Sequence, residues 1–181
     1  LTIYALAIDD YTKQSSIVHH TMKSILPLSS LERTMTTDST INIPPDRHYD
    51  AVNHMWARAD DATGRIIVGI DVLGLQALGD LVYVTLKEVG TPVRRGEAFG
   101  TFEAAKMTGD IIAPVSGILI GCNVNVVHDP TLVNRDPYNK GWIASFDPAD
   151  WKMESAALVS GEAIPGWVES EIERYRLQGW V

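Results

Sequence analysis

The sequence is short of cysteine, of basic charge and of long apolar runs. Cys122 is its single cysteine among 181 residues, so no disulfide framework can form within the chain. One cysteine also excludes a four-cysteine zinc site and an iron–sulfur cluster. Fifteen Lys and Arg face 23 Asp and Glu, a formal net charge of −8, the opposite of the basic surface that non-specific nucleic-acid binding requires. No run approaches the roughly 20 apolar residues of a membrane span. Residues 1–8 are apolar but lack a positive lead-in and run into Asp9 and Asp10, which argues against a signal peptide. No Gly-rich phosphate loop is present, because the stretch from Gly69 to Gly74 lacks the Lys-Ser/Thr ending. No Ser-His-Asp order stands in a nucleophile-elbow context. Nothing completes a metal ligand set around His48, Asp50 and His54. The expectation is a cytoplasmic protein without a catalytic constellation of its own.

What is present is a core-forming composition, 45% hydrophobic, in a chain the size of one domain with an appendage. Residues 1–46 are Ser/Thr-rich and end on Ile43-Pro44-Pro45. They are expected to form a flexible arm, or an upstream extension with Met35 as the natural start. Residues 47–181 form the expected folded domain. Short apolar runs at Ile66–Ile70, Leu81–Leu86, Ala98–Ala104, 111–113 and 118–122 are separated by Gly, Pro and Asp, as in a small β-sandwich or barrel. Asp71 is placed to cap a short helix over Val72–Leu78 that Gly79 ends. Helices are expected over 148–158 and 165–177, the second with Val168, Ile172 and Tyr175 on one face and Pro165 in its first turn. Gly79-Asp80-Leu81-Val82 returns as Gly109-Asp110-Ile111-Ile112, an echo that two halves of a sandwich would produce. Cys122 falls in a strand and reads as a small buried hydrophobe.

The chemistry-bearing stretch is 100–117. A strand rises to Lys106, turns and returns through Asp110, with Gly100, Gly109, Pro114 and Gly117 as turn signals. A lysine at a hairpin tip projects into solvent. It is either a plain solvated side chain or an amine that another enzyme acylates to make a long flexible arm.

Glu103-Ala104-Ala105-Lys106, with Asp110 and Ala113-Pro114-Val115-Ser116-Gly117, resembles the lipoylation hairpin of the H protein of the glycine cleavage system. Val68-Gly69-Ile70 with Ala77-Leu78-Gly79-Asp80, Val89-Gly90 with Gly96-Glu97-Ala98-Phe99-Gly100, and Asp129-Pro130 through Asp136-Pro137-Tyr138 and Gly141-Trp142 resemble that family in the same order. The resemblance implies a mainly β, barrel-sandwich hybrid fold with short flanking helices and a helical C-terminal tail from about residue 148. It implies a non-catalytic carrier with lipoate covalently on Lys106. Glu103 is implied as a recognition point for the attaching lipoate ligase or lipoyltransferase, with a solvated strand-end acid as its other reading. Gly117 serves the return hairpin through positive φ. Asn134, Asp136, Pro137 and Tyr138 fix a surface loop through local bonds. The implied partners are glycine decarboxylase, aminomethyltransferase and dihydrolipoyl dehydrogenase, between which the arm carries an aminomethyl group. A monomer is expected, with no nucleic-acid or membrane partner.

Two departures stand out. The family commonly has His-Glu-Trp where this chain has His54-Met55-Trp56, and the tail with Trp151, Trp167 and Trp180 is long and aromatic. Both leave open a related carrier, the H-protein-like lipoate protein of bacterial sulfur oxidation, which would serve a heterodisulfide-reductase-like complex. A biotin acceptor and an unmodified interaction module are the readings of other classes. Lys106-Met107 matches half of a Met-Lys-Met biotin signature, and Ala105 replaces its first Met.

Overall fold

A computed structural model describes residues 41–179. Residues 1–40 of the expected arm, with Met35 and His19-His20, lie outside the described residues, as does Trp180 of the tail. The first strands are His48–Asp50 (β1), Met55–Ala59 (β2) and Ile66–Ile70 (β3), followed by the helix Val72–Leu78 (α1). Leu81–Leu86 (β4), Pro92–Val93 (β5), Ala98–Ala104 (β6), Thr108–Ile112 (β7) and Gly117–Cys122 (β8) come next. Two short helices, Val124–His128 (α2) and Thr131–Arg135 (α3), lead to Ala144–Pro148 (β9). The tail holds Trp151–Ser155 (α4), Val159–Ser160 (β10) and Ile164–Leu177 (α5).

The strands form two antiparallel sheets, one ordered β10-β1-β2-β3-β9-β8-β5 and one ordered β4-β6-β7. The fold is thus mainly β with short helices and a C-terminal helix, as expected, and the described sheets do not close into a barrel. The echo between Gly79–Val82 and Gly109–Ile112 has a simpler cause than two sandwich halves. It marks β4 and β7, the outer strands of one sheet, on either side of β6.

The apolar runs become strands because alternate residues can be buried. Val68, Phe99, Ile111, Leu119 and Phe146 pack into one cluster that draws on both sheets, with the Phe99 and Phe146 rings edge-on at 5.2 Å. Strand β2 alternates between two clusters: Met55 and Ala57 join the first, and Trp56 joins a second with Tyr49, Leu73, Tyr138, Ile164, Trp167 and Tyr175. Ile41 and Ile43 pack on this second cluster, and the Tyr49 hydroxyl donates to the Pro44 carbonyl at 2.6 Å.

The tail differs from its expected form. Pro148 ends strand β9, and the helix starts only at Trp151, where the Asp150 carboxylate caps Met153 N–H at 3.0 Å. Val159 and Ser160 then add a strand to β1. In α5 the buried residues are Ile164, Trp167 and Tyr175, while Val168 and Ile172 lie half-buried at the margin of that face.

Candidate functional site

Strands β6 and β7 form a hairpin whose turn is Ala105-Lys106-Met107. Its side chains are exposed, and its shape is fixed through the backbone. Ala104 N–H donates to the Met107 carbonyl at 2.8 Å, Ala105 N–H to Asp80 at 2.9 Å, and Lys106 N–H to Leu78 at 3.3 Å. The turn is thus stitched to the end of α1. The Lys106 ammonium donates to the Gln76 carbonyl at 3.1 Å, an exposed contact.

Helix α1 starts and stops where the sequence predicts. Asp71, fully buried, accepts from Gly74 N–H at 2.9 Å, and Gly79 N–H donates to Leu75 at 2.8 Å. Gly79 has φ of 78°, which a side chain would strain. From α3, Asn134 reaches across: its amide oxygen accepts from Leu81 N–H at 2.9 Å and its amide nitrogen donates to the Gly79 carbonyl at 3.0 Å. Asn134 therefore braces the segment that supports Lys106, over more than 50 residues of sequence. The local loop expected of Asn134 and Tyr138 is corrected here. Only Asp136 works locally, accepting from Asn139 at 2.9 Å and Lys140 N–H at 3.2 Å. Those bonds hold the Asp136 carboxyl below its usual range. Tyr138 is buried, and its hydroxyl accepts from Val72 N–H at 3.1 Å at the start of α1. Gly117 also differs in its reason. It lacks positive φ, and a Cβ there would collide with the Asp147 carbonyl of the neighbouring strand.

Beside the lysine turn lies a cavity of about 350 Å³, lined by Met55, Ile70, Ala77, Leu78, Phe102 and Met107 among others. His54 and Asp110 are the titratable residues along its lining. Met55 is 2% exposed, so the position where the family commonly has a carboxylate presents a thioether to this space. Glu103 is exposed on the outer side of β6, and its carboxylate makes no hydrogen bond or ion pair within the described residues.

Sequence reasoning gave His54 no role, and the structure gives it several contacts. Its φ is +53°, the one positive value at a non-glycine position among the described residues. Nδ1 lies 3.3 Å from the Asp71 carboxylate, and Nε2 lies 3.1 Å from the Tyr175 hydroxyl and 3.6 Å from Glu171. No spacing rule joins residues 54, 71 and 175, so only the fold shows this group. His48 instead stands edge-on to Trp151 at 4.9 Å, apart from any metal-like grouping. Among the described residues no three His, Cys, Asp or Glu are placed to hold a metal ion. Cys122 is half-buried against the core, and burial raises its thiol pKa, as befits a packing residue.

Residues 47–171 match the family model described as glycine cleavage H-protein. The chain belongs to the glycine cleavage H-protein family. It is 44% identical over 131 residues to the glycine cleavage system H protein of Thermus thermophilus, covering 72% of this chain and 99% of that one. Identity to the glycine cleavage system H protein of Anaeromyxobacter sp. (strain K) is 39% over 131 residues, with 72% and 99% covered. A crystal structure of a glycine cleavage system H protein from Mycobacterium marinum is similar at a TM-score of 0.54 and 42% identity, covering 59% of this chain and 87% of that chain. Members of the H-protein family are non-catalytic carriers with lipoate held covalently on a lysine. Lipoate, rather than biotin, is therefore the group to test against this site. These relatives lend no support to the sulfur-oxidation alternative. No helix among the described residues is long and apolar enough to cross a membrane.

Proposed function

We propose that Lys106 is the lysine that carries lipoate, and that the chain shuttles a covalently held intermediate among the enzymes of the glycine cleavage system as a monomeric, cytoplasmic carrier. The carrier is the domain 47–181, with Ile41, Ile43 and Pro44 held against it. Its working partners are a lipoate ligase or lipoyltransferase, then glycine decarboxylase, aminomethyltransferase and dihydrolipoyl dehydrogenase. The observation that carries this reading is an exposed lysine on a backbone-stitched turn beside an apolar cavity of about 350 Å³.

The residues fit the group on two counts. The Lys106 amine is exposed and, among the described residues, bonded to one carbonyl, so a second protein can reach it. The cavity wall of Met55, Ile70, Phe102 and Met107 suits an aliphatic chain ending in sulfur, since thioether and ring edges contact sulfur favourably. Lipoate supplies a disulfide that opens by reduction to accept a group on sulfur. The chain's own part is positional. The bonds from Lys106 N–H to Leu78 and from Ala105 N–H to Asp80 keep the attachment point fixed against α1, and Asn134 keeps α1 and β4 in register beneath it.

The mass of the protein isolated from cells that make lipoate tests the assignment. A lipoyl mass on the peptide containing Lys106, absent from Lys106→Arg, is expected. A biotin mass, or an unmodified lysine in such cells, overturns it. Loading by glycine decarboxylase in a reconstituted mixture tests the pathway, and no loading of the lipoylated chain excludes it.

A further inference from the structure

Strand register divides the small sheet into an inner and an outer face. Tyr83 of β4 stands opposite Glu103 of β6, which stands opposite Thr108 of β7. One step along, Thr85 stands opposite Thr101, and Thr101 opposite Asp110. Directly opposed residues point to the same side of a sheet. The intervening row of Val84 and Phe102 is buried, so these six residues form the solvent face, and all six are exposed.

This face has three properties. It is polar around its middle, where the Thr85 and Thr101 hydroxyls meet at 2.5 Å. It is acidic: Glu103 and Asp110 are its charged members, and none of the six is basic. It carries one large ring, since Tyr83 is 52% exposed and is the aromatic among the exposed large hydrophobic residues. A half-exposed tyrosine on a polar floor is the composition of an interface anchor, a rigid ring that loses little entropy when a partner covers it. Position completes the argument. Glu103 is three residues before Lys106, and Tyr83 and Thr108 are its cross-strand neighbours, so this row stands at the Lys106 end of the face. Any active site that takes the Lys106 amine comes down over this end of the hairpin.

We infer that the outer face of β4-β6-β7 is the docking surface of the enzyme that acylates Lys106, with Tyr83 as its apolar anchor and Glu103 as its charged one. The inference rests on Lys106 being the attachment lysine. The partner surface it fits is basic, with a hollow for one aromatic ring, because charge complementarity speeds encounter and fixes register. The reaction served joins the Lys106 Nζ to the carboxyl carbon of lipoate. ATP activates that carboxyl as the adenylate with loss of pyrophosphate. The amide then forms as AMP leaves and Nζ gives up a proton.

The test uses the full chain free of lipoate, a lipoate ligase, lipoate and ATP, with the mass of the Lys106 peptide followed over time. Tyr83→Thr keeps a strand-forming residue and should raise KM for the carrier about tenfold with kcat little changed. Tyr83→Phe keeps the ring and should return KM to within about threefold of the starting protein. Glu103→Gln should raise KM and weaken its dependence on salt. Met153→Gln, at an exposed position of α4, should change nothing. Unchanged acylation of Tyr83→Thr while Lys106 is still labelled overturns the docking surface and leaves the attachment site standing. A loss confined to turnover with glycine decarboxylase also overturns it, since the face then serves another partner. A defect that Phe fails to restore, or one accompanied by a lower Tm, marks a structural role and overturns it. No label on Lys106 in the unsubstituted chain removes both readings.

Discussion

The second cluster and the lysine hairpin are built on opposite plans. In the cluster, identity of the side chain is everything. Tyr49, Trp56 and Tyr175 are at most 1% exposed, and each polar tip has a backbone acceptor: Pro44, Pro137 and Leu73, at 2.6, 3.1 and 3.0 Å. Arg47 adds its guanidinium, 5.0 Å from the Trp56 ring centre, and donates to the Tyr138 carbonyl at 2.6 Å. At the hairpin tip the reverse holds. Glu103, Lys106 and Met107 are exposed, and main-chain bonds to 78 and 80 do the holding. A tip held through its main chain leaves its side chains free of any duty to the fold.

The largest effect that sharpens this contrast belongs to Trp56. Trp56→Ala removes the ring that touches Tyr138 and Arg47, and should cost about 3–5 kcal/mol in urea unfolding. A loss below about 1 kcal/mol would break the comparison, for the cluster would then tolerate change as the hairpin does. Asn134→Ala comes next, at about 1–3 kcal/mol, because it strands the Leu81 N–H and the Gly79 carbonyl. It should also speed hydrogen exchange at Ala105 and Lys106 more than at Trp56. Equal acceleration everywhere would mean that Asn134 has no particular hold on the lysine turn.

These two residues also show what the sequence can and cannot disclose. Local chemistry is legible: Asp71 and Gly79 bound α1 as their cap preferences require, and the Gly and Pro signals around Lys106 locate the hairpin. Long-range geometry is not. Asn134 looks like a loop residue because its partners are more than 50 positions away. Gly117 looks like a turn glycine, and only the approach of β9 shows that it yields space to a carbonyl. His54-Met55-Trp56 reads as three adjacent letters, yet strand alternation sends Met55 into one cluster and Trp56 into the other. The aromatic tail is visible in composition, but the strand at 159–160 is not, since two residues carry no periodicity.

Alkaline pH separates the two regions by a smaller amount. Burial raises the Tyr175 hydroxyl to about 12 and pushes Tyr49 and Tyr138 higher still, with the Tyr49–Tyr138 interaction adding to the shift on Tyr49. In the unfolded chain each titrates near about 10. Their stabilising contribution is therefore whole below about pH 10, where both states hold the proton. Between about 10 and the Tyr175 value of about 12 the unfolded state releases protons that the folded state keeps, so stability falls as pH rises. The slope is about 1.4 kcal/mol per pH unit for each tyrosine in that window. Urea midpoints measured across it should fall together with the rise of tyrosinate absorbance. A flat midpoint would show that the tyrosines ionise without unfolding, and the cluster would be looser than its burial implies.

The smallest expected effect is the most telling. Lys106→Arg keeps the main-chain bonds of the turn and loses only an exposed contact to Gln76, so unfolding should shift by less than about 0.5 kcal/mol. If attachment is at Lys106, the same substitution removes all lipoyl label, because the guanidinium stays protonated and is no acyl acceptor. Total loss of modification with unchanged stability is the signature of a residue that serves only other molecules. A destabilisation near that of Asn134→Ala would instead make the lysine a part of the scaffold, and the division between the two regions would fail at the very atom on which it was drawn.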